Sequence, residues 1–333
     1  MMRPLVLSLG DPAGIGPELA LRAWLARAEE GLPPFFVAGG AGLLREAGER
    51  CAMPVPIVEI ADPAEAPARF AAGLPVLRGG DCPYRPGQPD EAGARLALAS
   101  LEIATALTIA GQAAALVTGP IAKAELAAIG FAFPGQTEFV AAACDIAAED
   151  AVMLLAGPQL RAVPLTVHCP LAEVPGRITR ALILRRARIV DRAMRRDFGI
   201  AAPRIAICGL NPHAGEAGRM GREEIETIAP AIADLQAEGI AASGPHPADS
   251  LFAPHARGNY DVAIAMYHDQ ALVPVKALDF DAGVNMTLGL PIIRTSPDHG
   301  TAFAIAGTGA ANPGATIAAI NMAAEAAVHR AAE

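Results

Sequence analysis

The chain has 333 residues, a length that suits two domains or one domain in two lobes. Its formal net charge is -9 and its sequence has no basic patch, which argues against nucleic acid as a partner. Hydrophobic residues make up 53% of the chain but aromatic residues only 4%, so small side chains fill much of the core. This composition is typical of helices packed closely on a sheet.

The cysteines and the apolar segments indicate the compartment. Five scattered cysteines without a Cys-x-x-Cys pair fit a reducing cytosol. The apolar run at the N-terminus is too short for a signal peptide. Residues 103–122 and 300–324 carry no charge, but Gly and Pro interrupt both stretches, and neither is predicted to span a membrane. We therefore expect a cytoplasmic protein without a membrane partner.

The first motif follows the first predicted strand, residues 5–9. The loop Gly10–Glu18 contains three glycines and leads into a helix. Its spacing differs from the Gly-x-Gly-x-x-Gly dinucleotide fingerprint. A glycine loop that opens a helix can bind an anion, and it can equally be a tight turn. Both interpretations stay open at this point.

Further apolar runs and turn signals predict alternating strands and helices. Residues 63–89, rich in Pro and Gly, are predicted to be irregular, and residues 134–138 are predicted to form a loop. The alternation predicts an α/β fold with a largely parallel sheet. The other predicted strands cover residues 35–38, 55–59, 114–117, 151–155, 161–167, 205–210, 262–267, 283–288 and 291–294; the clearest helices cover 91–110, 178–197, 222–238 and 268–276, with a terminal helix from 313.

Three of the predicted strands lead directly into a histidine: His168, His213 and His268. Ligands bind at the carboxyl ends of strands in open α/β sheets, so parallel neighbours would bring these imidazoles to one crevice. Three imidazoles with an open fourth position suit a catalytic divalent metal. A single loop histidine is more often just hydrogen bonded; the repeated placement favours ligation. The remaining histidines are predicted to lack this placement: His246, His255, His299 and His329.

Several motifs occur in an order that resembles one known family. Over nearly its whole length the chain resembles the 4-hydroxythreonine-4-phosphate dehydrogenase family, often called PdxA. The motifs are Gly10–Glu18, Val117–Lys123, Asn211–Glu216, Pro247–Phe252, Tyr267–Gln270 and Gly283–Pro291, running on to Arg294.

The resemblance implies a fold similar to isocitrate and isopropylmalate dehydrogenases. The whole chain, 1–333, would form one dehydrogenase unit of two interleaved α/β lobes with the active site in the cleft between them. The resemblance also implies a homodimer. His168, His213 and His268 would bind one divalent ion (Zn, Co or Mg) at a site completed across the dimer interface.

The resemblance also assigns binding residues. The segment from His299 to Asn312 is similar to the adenosine-binding loop of isopropylmalate and isocitrate dehydrogenases, which implies NAD or NADP. Where the family's loop usually reads Gly-His-Thr-Glu, this chain has Gln136; glutamine donates hydrogen bonds but carries no charge. The residues on substrate positions are Gln136, Thr137, Lys276, Asn285 and Arg294, and those on cofactor positions are His299, Gly300, Thr301 and Asn312.

The activity implied is oxidation of 4-phosphooxy-L-threonine, a small phosphorylated substrate, by NAD(P)+. The product 2-amino-3-oxo-4-phosphooxybutanoate loses CO2 to give 3-amino-2-oxopropyl phosphate, in pyridoxal 5'-phosphate biosynthesis. Lys276 and Arg294 would hold the phosphate and the carboxylate. Lys276, Asp249 and Asp269 are the catalytic candidates, although each Asp is equally suited to capping or to orienting a ligand.

Three alternatives remain at this point. A related metal-dependent dehydrogenase would act on a phosphorylated sugar acid or on a cyclic diol dicarboxylate. A phosphate-acyltransferase-like enzyme would use a related fold for acyl transfer, since fold alone does not determine function. A metabolite-binding protein without catalysis is the third alternative, and the complete set of three histidines argues against it.

Overall fold

The structure is a computed structural model that describes residues 3–332. The chain forms two compact units and runs from the first into the second and back. Unit 1 comprises the residues up to Ala148 together with Leu290–Ala331, and unit 2 is built from Glu149–Gly289. Each unit contains six strands, and the strands of each unit are described separately.

The strands are short and mostly buried. Their sequences are rich in Val, Leu, Ile and Ala, as expected for strands covered on both faces. They are β1 (Leu5–Ser8), β2 (Phe35–Ala38), β3 (Ile57–Ile60), β4 (Leu74–Leu77), β5 (Leu116–Thr118), β6 (Val152–Ala156), β7 (Arg161–Thr166), β8 (Arg204–Cys208), β9 (Ala241–His246), β10 (Val262–Tyr267), β11 (Val284–Leu288) and β12 (Arg294–Pro297).

The helices follow most of the strands and vary widely in length. They are α1 (Gly16–Ala26), α2 (Ala41–Arg50), α3 (Ala66–Arg69), α4 (Glu91–Ile109), α5 (Lys123–Ala128), α6 (Gln136–Ala143), α7 (Val174–Arg177), α8 (Arg180–Arg196), α9 (Ala229–Ala237), α10 (Ala248–Leu251), α11 (Pro254–Arg257), α12 (His268–Asp279) and α13 (Gly314–Ala331).

The sheet of unit 1 has the order β3-β4-β2-β1-β5-β12. Each neighbouring pair is parallel. The carboxyl ends of β5 and β12 therefore lie on the same edge, where Thr118 ends β5. This arrangement confirms the predicted α/β class for unit 1.

The sheet of unit 2 has the order β11-β6-β7-β10-β8-β9. Strand β6 runs antiparallel to both β7 and β11, and β6 and β7 form a hairpin. Strands β7, β10, β8 and β9 are parallel neighbours. The three strands that precede the histidines are thus adjacent and parallel, which is the condition under which the sequence predicts that their imidazoles meet.

Two strands were not predicted. Strand β4 lies inside the region predicted to be irregular, and β9 covers a stretch for which no strand was predicted. Both contain proline, which argues against a strand when only local sequence is considered. Pairing with β2 and β3 stabilises the buried β4, and β9 is an edge strand, where proline is tolerated.

A further difference concerns His246. The sequence suggested that this histidine lacks a strand-end position, but it is the last residue of β9. Its Nε2 lies 2.9 Å from Ser243 Oγ, and burial lowers its pKa. Strand-end placement alone therefore does not single out the three histidines.

Helix α4 is a core helix of unit 1. The Asp90 side chain accepts a hydrogen bond from Gly93 N at 2.8 Å and caps its first turn. By length and composition it is the one helix among residues 3–332 that is apolar enough to cross a membrane. However, 50% of its most apolar stretch is buried inside the protein. It packs against β1, β2 and β5, as core helices with the same composition do.

Candidate active site

The sheet of unit 2 brings two of the three histidines together. His168 follows β7, and His268 begins α12 directly after β10. Thr166 and Tyr267 are paired in the parallel register of these strands. The two imidazole centroids lie 5.9 Å apart with their planes tilted by 41°.

Both imidazoles line a cavity of about 380 Å³. His268 Nδ1 lies 2.7 Å from Asp269 Oδ1, so the carboxylate orients the ring and Nε2 is the nitrogen that could act as a ligand. Asp269 is therefore placed to orient a ligand. The lining residues are Thr166, Val167, His168, Cys169, Pro170, Leu171, Val174, Tyr267, His268 and Asp269.

His213 lies in an unusual turn, Pro212–Gly218. Five consecutive residues from His213 to Ala217 have left-handed backbone angles, with φ between 42° and 77°. Such angles cost about 1–2 kcal/mol per L-residue, and they persist only where the surroundings enforce them. The buried Glu224 carboxylate provides one restraint: it accepts hydrogen bonds from Asn211 N at 2.8 Å and Asn211 Nδ2 at 3.0 Å.

A divalent ion fits the chemistry of the two clustered imidazoles. His168 and His268 supply neutral nitrogen donors, and Asp269 is the carboxylate partner that ligating histidines commonly have. His213 does not line the cavity, and nowhere in residues 3–332 do three His, Cys, Asp or Glu side chains form a group that could hold one ion. The donor type fits, but the number of donors within one chain falls short of a catalytic site.

In unit 1, Arg294 is the centre of a buried polar cluster. Its side chain is 4% exposed. Nε and Nη2 donate to Thr118 Oγ1 at 3.1 and 2.8 Å, and Nη1 donates to Thr137 Oγ1 at 3.3 Å. Burial lowers the pKa of Arg294 to about 10, against the opposing effect of Glu138. The guanidinium is therefore charged at neutral pH and fixed in position, as recognition of phosphate or carboxylate requires.

Gln136 begins α6 and does not lie in a loop. Its Nε2 donates to Gly119 O at 2.9 Å. Its Oε1 is buried and has no hydrogen-bond partner in the described part of the chain. The sequence predicts that Gln136 and Thr137 lie on substrate positions, with Gln136 as a hydrogen-bond donor. The hydroxyl of Thr137, which accepts from Arg294, keeps its proton for donation, but the unsatisfied atom of Gln136 is an acceptor.

The segment that resembles an adenosine-binding loop packs against the first motif of the chain. Thr301 O accepts a hydrogen bond from Ile15 N at 3.0 Å. His299 Nδ1 lies 3.1 Å from Gly300 O, and its buried Nε2 has no partner within residues 3–332. A side chain added at Gly300 would meet no atom within 4 Å, so space is open above the backbone there. An adenosine group fits a segment with this space and an unsatisfied acceptor.

Three more predicted residues lie elsewhere in the two units, and Asn312 serves as a helix cap. Asn312 Oδ1 accepts from Gly314 N at 2.9 Å where α13 begins. Asp249 is exposed in the first turn of α10 and does not line the histidine cavity. Lys276 lies on α12, two turns after His268. Asn285 lies on β11, and its buried Oδ1 lacks a hydrogen-bond partner among the described residues.

Residues 32–323 match the family model described as pyridoxal phosphate biosynthetic protein PdxA. The chain belongs to the PdxA family. The 4-hydroxythreonine-4-phosphate dehydrogenase of Erythrobacter litoralis is 62% identical over 329 residues, which cover 99% of this chain and 98% of that relative. The enzyme of the same name from Zymomonas mobilis is 53% identical and covers 99% of this chain and 97% of its own.

The comparison with solved structures agrees with this assignment. The crystal structure of 4-hydroxythreonine-4-phosphate dehydrogenase from Klebsiella pneumoniae superposes with a TM-score of 0.87 at 38% identity, covering 98% of each chain. PdxA membership confirms the α/β fold class that the sequence predicted. It also explains why the quoted motifs occur in order along nearly the whole chain.

Sequence reasoning missed two residues of the candidate site in this PdxA chain. Thr118 ends β5 and holds Arg294, and Glu224 holds the turn that carries His213. Thr118 could have been found by the same signal as the histidines, because it is a polar residue at the end of an apolar strand. Glu224 gave no signal, since a glutamate near a helix start is usually only suited to the helix dipole.

Proposed function

We propose that the chain is a cytoplasmic, NAD(P)-dependent and divalent-metal-dependent 4-hydroxythreonine-4-phosphate dehydrogenase. It oxidises 4-phosphooxy-L-threonine to 2-amino-3-oxo-4-phosphooxybutanoate, which decarboxylates to 3-amino-2-oxopropyl phosphate on the route to pyridoxal 5'-phosphate. The single observation that carries the proposal is the buried, charged Arg294 held by two threonine hydroxyls. An anionic group of a small phosphorylated substrate matches this cation, and the PdxA relatives are named 4-hydroxythreonine-4-phosphate dehydrogenase.

Unit 1 contains groups suited to binding such a substrate. Arg294 attracts an anionic oxygen, and Thr137 donates its hydroxyl proton to it. Gln136 Oε1 accepts from a donor group, such as the ammonium or hydroxyl of the substrate. A phosphorylated amino acid offers both anionic oxygens and donors, which matches these groups. Unit 2, taken by itself, offers Lys276 as a cation and Asn285 Oδ1 as an acceptor.

His168, His213 and His268 are the residues that would hold the metal. Asp269 keeps the His268 ring in one orientation and one tautomer. A bound divalent ion supplies Lewis-acid stabilisation for the charge that develops on an oxidised hydroxyl. Because Asp269 is engaged with His268, we assign it an orienting role. Asp249 and Lys276 are the candidates for accepting the proton of the C3 hydroxyl.

Dimerisation would complete the metal site. Leu171 lines the cavity of the two histidines and is 67% exposed, and α12 presents Val273 at 61% exposure. Phe280, just after α12, is 75% exposed. Exposed apolar residues beside an incomplete donor set support a homodimer in which a second copy covers this face and contributes the missing ligand.

For the cofactor, His299 Nε2 and the space above Gly300 support binding of the adenosine part of NAD or NADP. Asn312 would act by fixing the start of α13 next to this segment. Thr301 anchors the segment through its carbonyl, which leaves its hydroxyl for the dinucleotide.

The test is a substrate panel followed by NADH or NADPH absorbance. The protein is first treated with a chelator, and Zn, Co or Mg is then returned one at a time. We expect reduction of NAD(P)+ with 4-phosphooxy-L-threonine only after an ion is returned. Turnover of only a phosphorylated sugar acid or a cyclic diol dicarboxylate would contradict the substrate assignment. Acyl transfer to phosphate without dinucleotide reduction would contradict the dehydrogenase assignment.

A further inference from the structure

Glu18 is a fully buried acid on α1, with 0% of its side chain exposed. Its Oε1 accepts a hydrogen bond from Gly307 N, and its Oε2 accepts from Gly309 N at 3.0 Å. Tyr84 Oη lies 3.4 Å from Oε1. A buried carboxylate is costly unless donors surround it, and here two of the donors are backbone amides from the far end of the chain. Glu18 therefore fixes the Gly307–Gly309 turn.

Arg22 holds the same turn from the next turn of α1. Its Nη2 donates to Gly309 O, so helix α1 contacts both the amides and a carbonyl of this short segment. Gly307 and Gly309 have left-handed φ values of 76° and 71°. A Cβ at Gly307 would lie 2.5 Å from Pro86 Cγ. The turn therefore depends on glycine for its shape and on α1 for its order.

Apolar contacts extend this support along the segment. Ile15 and Leu19 form one buried cluster with Ala306 and Ala311. At Thr301, earlier in the chain than Gly307, the backbone carbonyl accepts a hydrogen bond from Ile15 N at 3.0 Å. One end and one face of α1 thus hold residues 301–311 by polar and apolar contacts together.

We propose that Glu18 is a positioning residue for the dinucleotide. It holds the Gly307–Gly309 turn in the conformation that receives the adenosine part of NAD(P), so little ordering remains to be done on binding. The inference rests on the proposed function, which assigns residues 299–312 to the dinucleotide. It also gives the Gly10–Glu18 motif a role that differs from anion binding: the motif supports a loop that lies nearly three hundred residues later.

The decisive variant is Glu18→Gln, in which an amide NH2 replaces one acceptor and faces a backbone N–H. Glu65 offers a matched control in the same unit, because its carboxylate also accepts from two backbone amides, Ala61 N and Asp62 N. Hydrogen exchange without any ligand should rise about tenfold at Gly307 and Gly309 in Glu18→Gln. In Glu65→Gln, the single amide oxygen can still accept from both Ala61 N and Asp62 N, so exchange should stay near the wild-type rate there and at Gly307 and Gly309.

The second readout is dinucleotide affinity, measured by calorimetry, together with steady-state kinetics. Glu18→Gln should raise the Kd and the KM for the dinucleotide about tenfold, with the substrate KM and the kcat at saturation nearly kept. If Glu18→Gln fails to fold, Arg22→Gln replaces it and should raise exchange at Gly309 and the dinucleotide KM in the same direction.

The outcomes separate this inference from the proposed function. Unchanged exchange at Gly307 and Gly309, or an unchanged dinucleotide Kd, overturns the role of Glu18. A wild-type protein that binds NAD(P) but oxidises another substrate overturns the proposed substrate and leaves the role of Glu18 intact. A wild-type protein that binds no dinucleotide overturns both, and the calorimetry of the wild type shows this directly.

Discussion

Arg294 opens β12 and binds the last residue of β5, Thr118, through two guanidinium nitrogens at 3.1 and 2.8 Å. The acceptor in this pair is a hydroxyl, so the contact fixes the position of the cation without neutralising its charge. Arg294 pairs with Leu116 at the amino end of β12, and its side chain reaches Thr118 at the carboxyl end of the parallel strand β5. The carboxyl ends of the strands are where α/β sheets bind ligands.

Replacing Arg294 by Lys should impair substrate binding strongly. Lysine keeps a positive charge but cannot donate to Thr118 and Thr137 with a rigid fork. We expect Arg294→Lys to lower kcat/KM by about 10–100-fold, mainly through KM for the substrate. Arg330→Lys is the control, since Arg330 donates to the backbone carbonyl of Pro291 in the same unit. Steady-state kinetics measure the outcome. A near wild-type substrate KM in Arg294→Lys would show that Arg294 does not bind the substrate.

Metal content should depend on the strand-end histidines. We expect His168→Ala and His268→Ala to lose nearly all bound divalent ion and activity together, because each removes an imidazole from the shared cavity. His246→Ala is a stringent control, since His246 also ends a strand but bonds to Ser243. Elemental analysis after dialysis against a chelator and metal return measures the outcome. Full metal occupancy in His268→Ala would refute the site.

Gln136 should contribute one ordinary hydrogen bond to substrate binding. Gln136→Ala removes the acceptor Oε1, at a cost of about 0.5–1.5 kcal/mol, and should raise KM several-fold with kcat nearly kept. Gln136→Glu should be worse, because a carboxylate would face the Gly119 carbonyl that now accepts from Nε2. Gln136→His should preserve activity on 4-phosphooxy-L-threonine. If the His variant creates this activity where the wild type has none, the substrate assignment is wrong.

The left-handed turn at His213 should store strain that glycine can release. Ala217 is exposed with φ 54°, so Ala217→Gly removes no packing and should stabilise the protein by about 0.5–1 kcal/mol. Ala106 is exposed in the last turn of α4, and the same substitution there should destabilise by about 0.5–1 kcal/mol. Urea unfolding measures both. If both substitutions change the free energy of unfolding in the same direction, the turn is not strained.

Acid should weaken the ion pair between Arg204, which begins β8, and Asp261, which precedes β10. Hydrogen bonding from Arg204 lowers the pKa of Asp261 below its ordinary value of 3.8. A carboxyl group with a lowered folded-state pKa stabilises the protein above its ordinary pKa and loses this effect as the pH falls through the folded pKa. Asp261→Asn should therefore be less stable than wild type at neutral pH, and the difference should shrink in strong acid. In an Arg204→Gln background, the effect of Asp261→Asn and its pH dependence should be smaller.

The sequence by itself determined the features that depend only on residues close together along the chain. Apolar runs that end in turn signals located β7, β8 and β10 and the polar residues that follow them. An alanine-rich run located α4. These features could be predicted because strand and helix preferences act over a few residues. The same dependence explains why β4 and β9 were missed, since pairing with other strands outweighs their local preference.

Only the tertiary structure decided which distant residues meet. Arg294 and Thr118 are separated by 176 residues, and Glu18 and Gly307 by 289. Whether Gln136 offers a donor or an acceptor depends on the Gly119 carbonyl, which binds its amide group. Packing also decided that His168 and His268 share a cavity that His213 does not line. No local pattern encodes these contacts, because they form only when distant segments of the chain fold against each other.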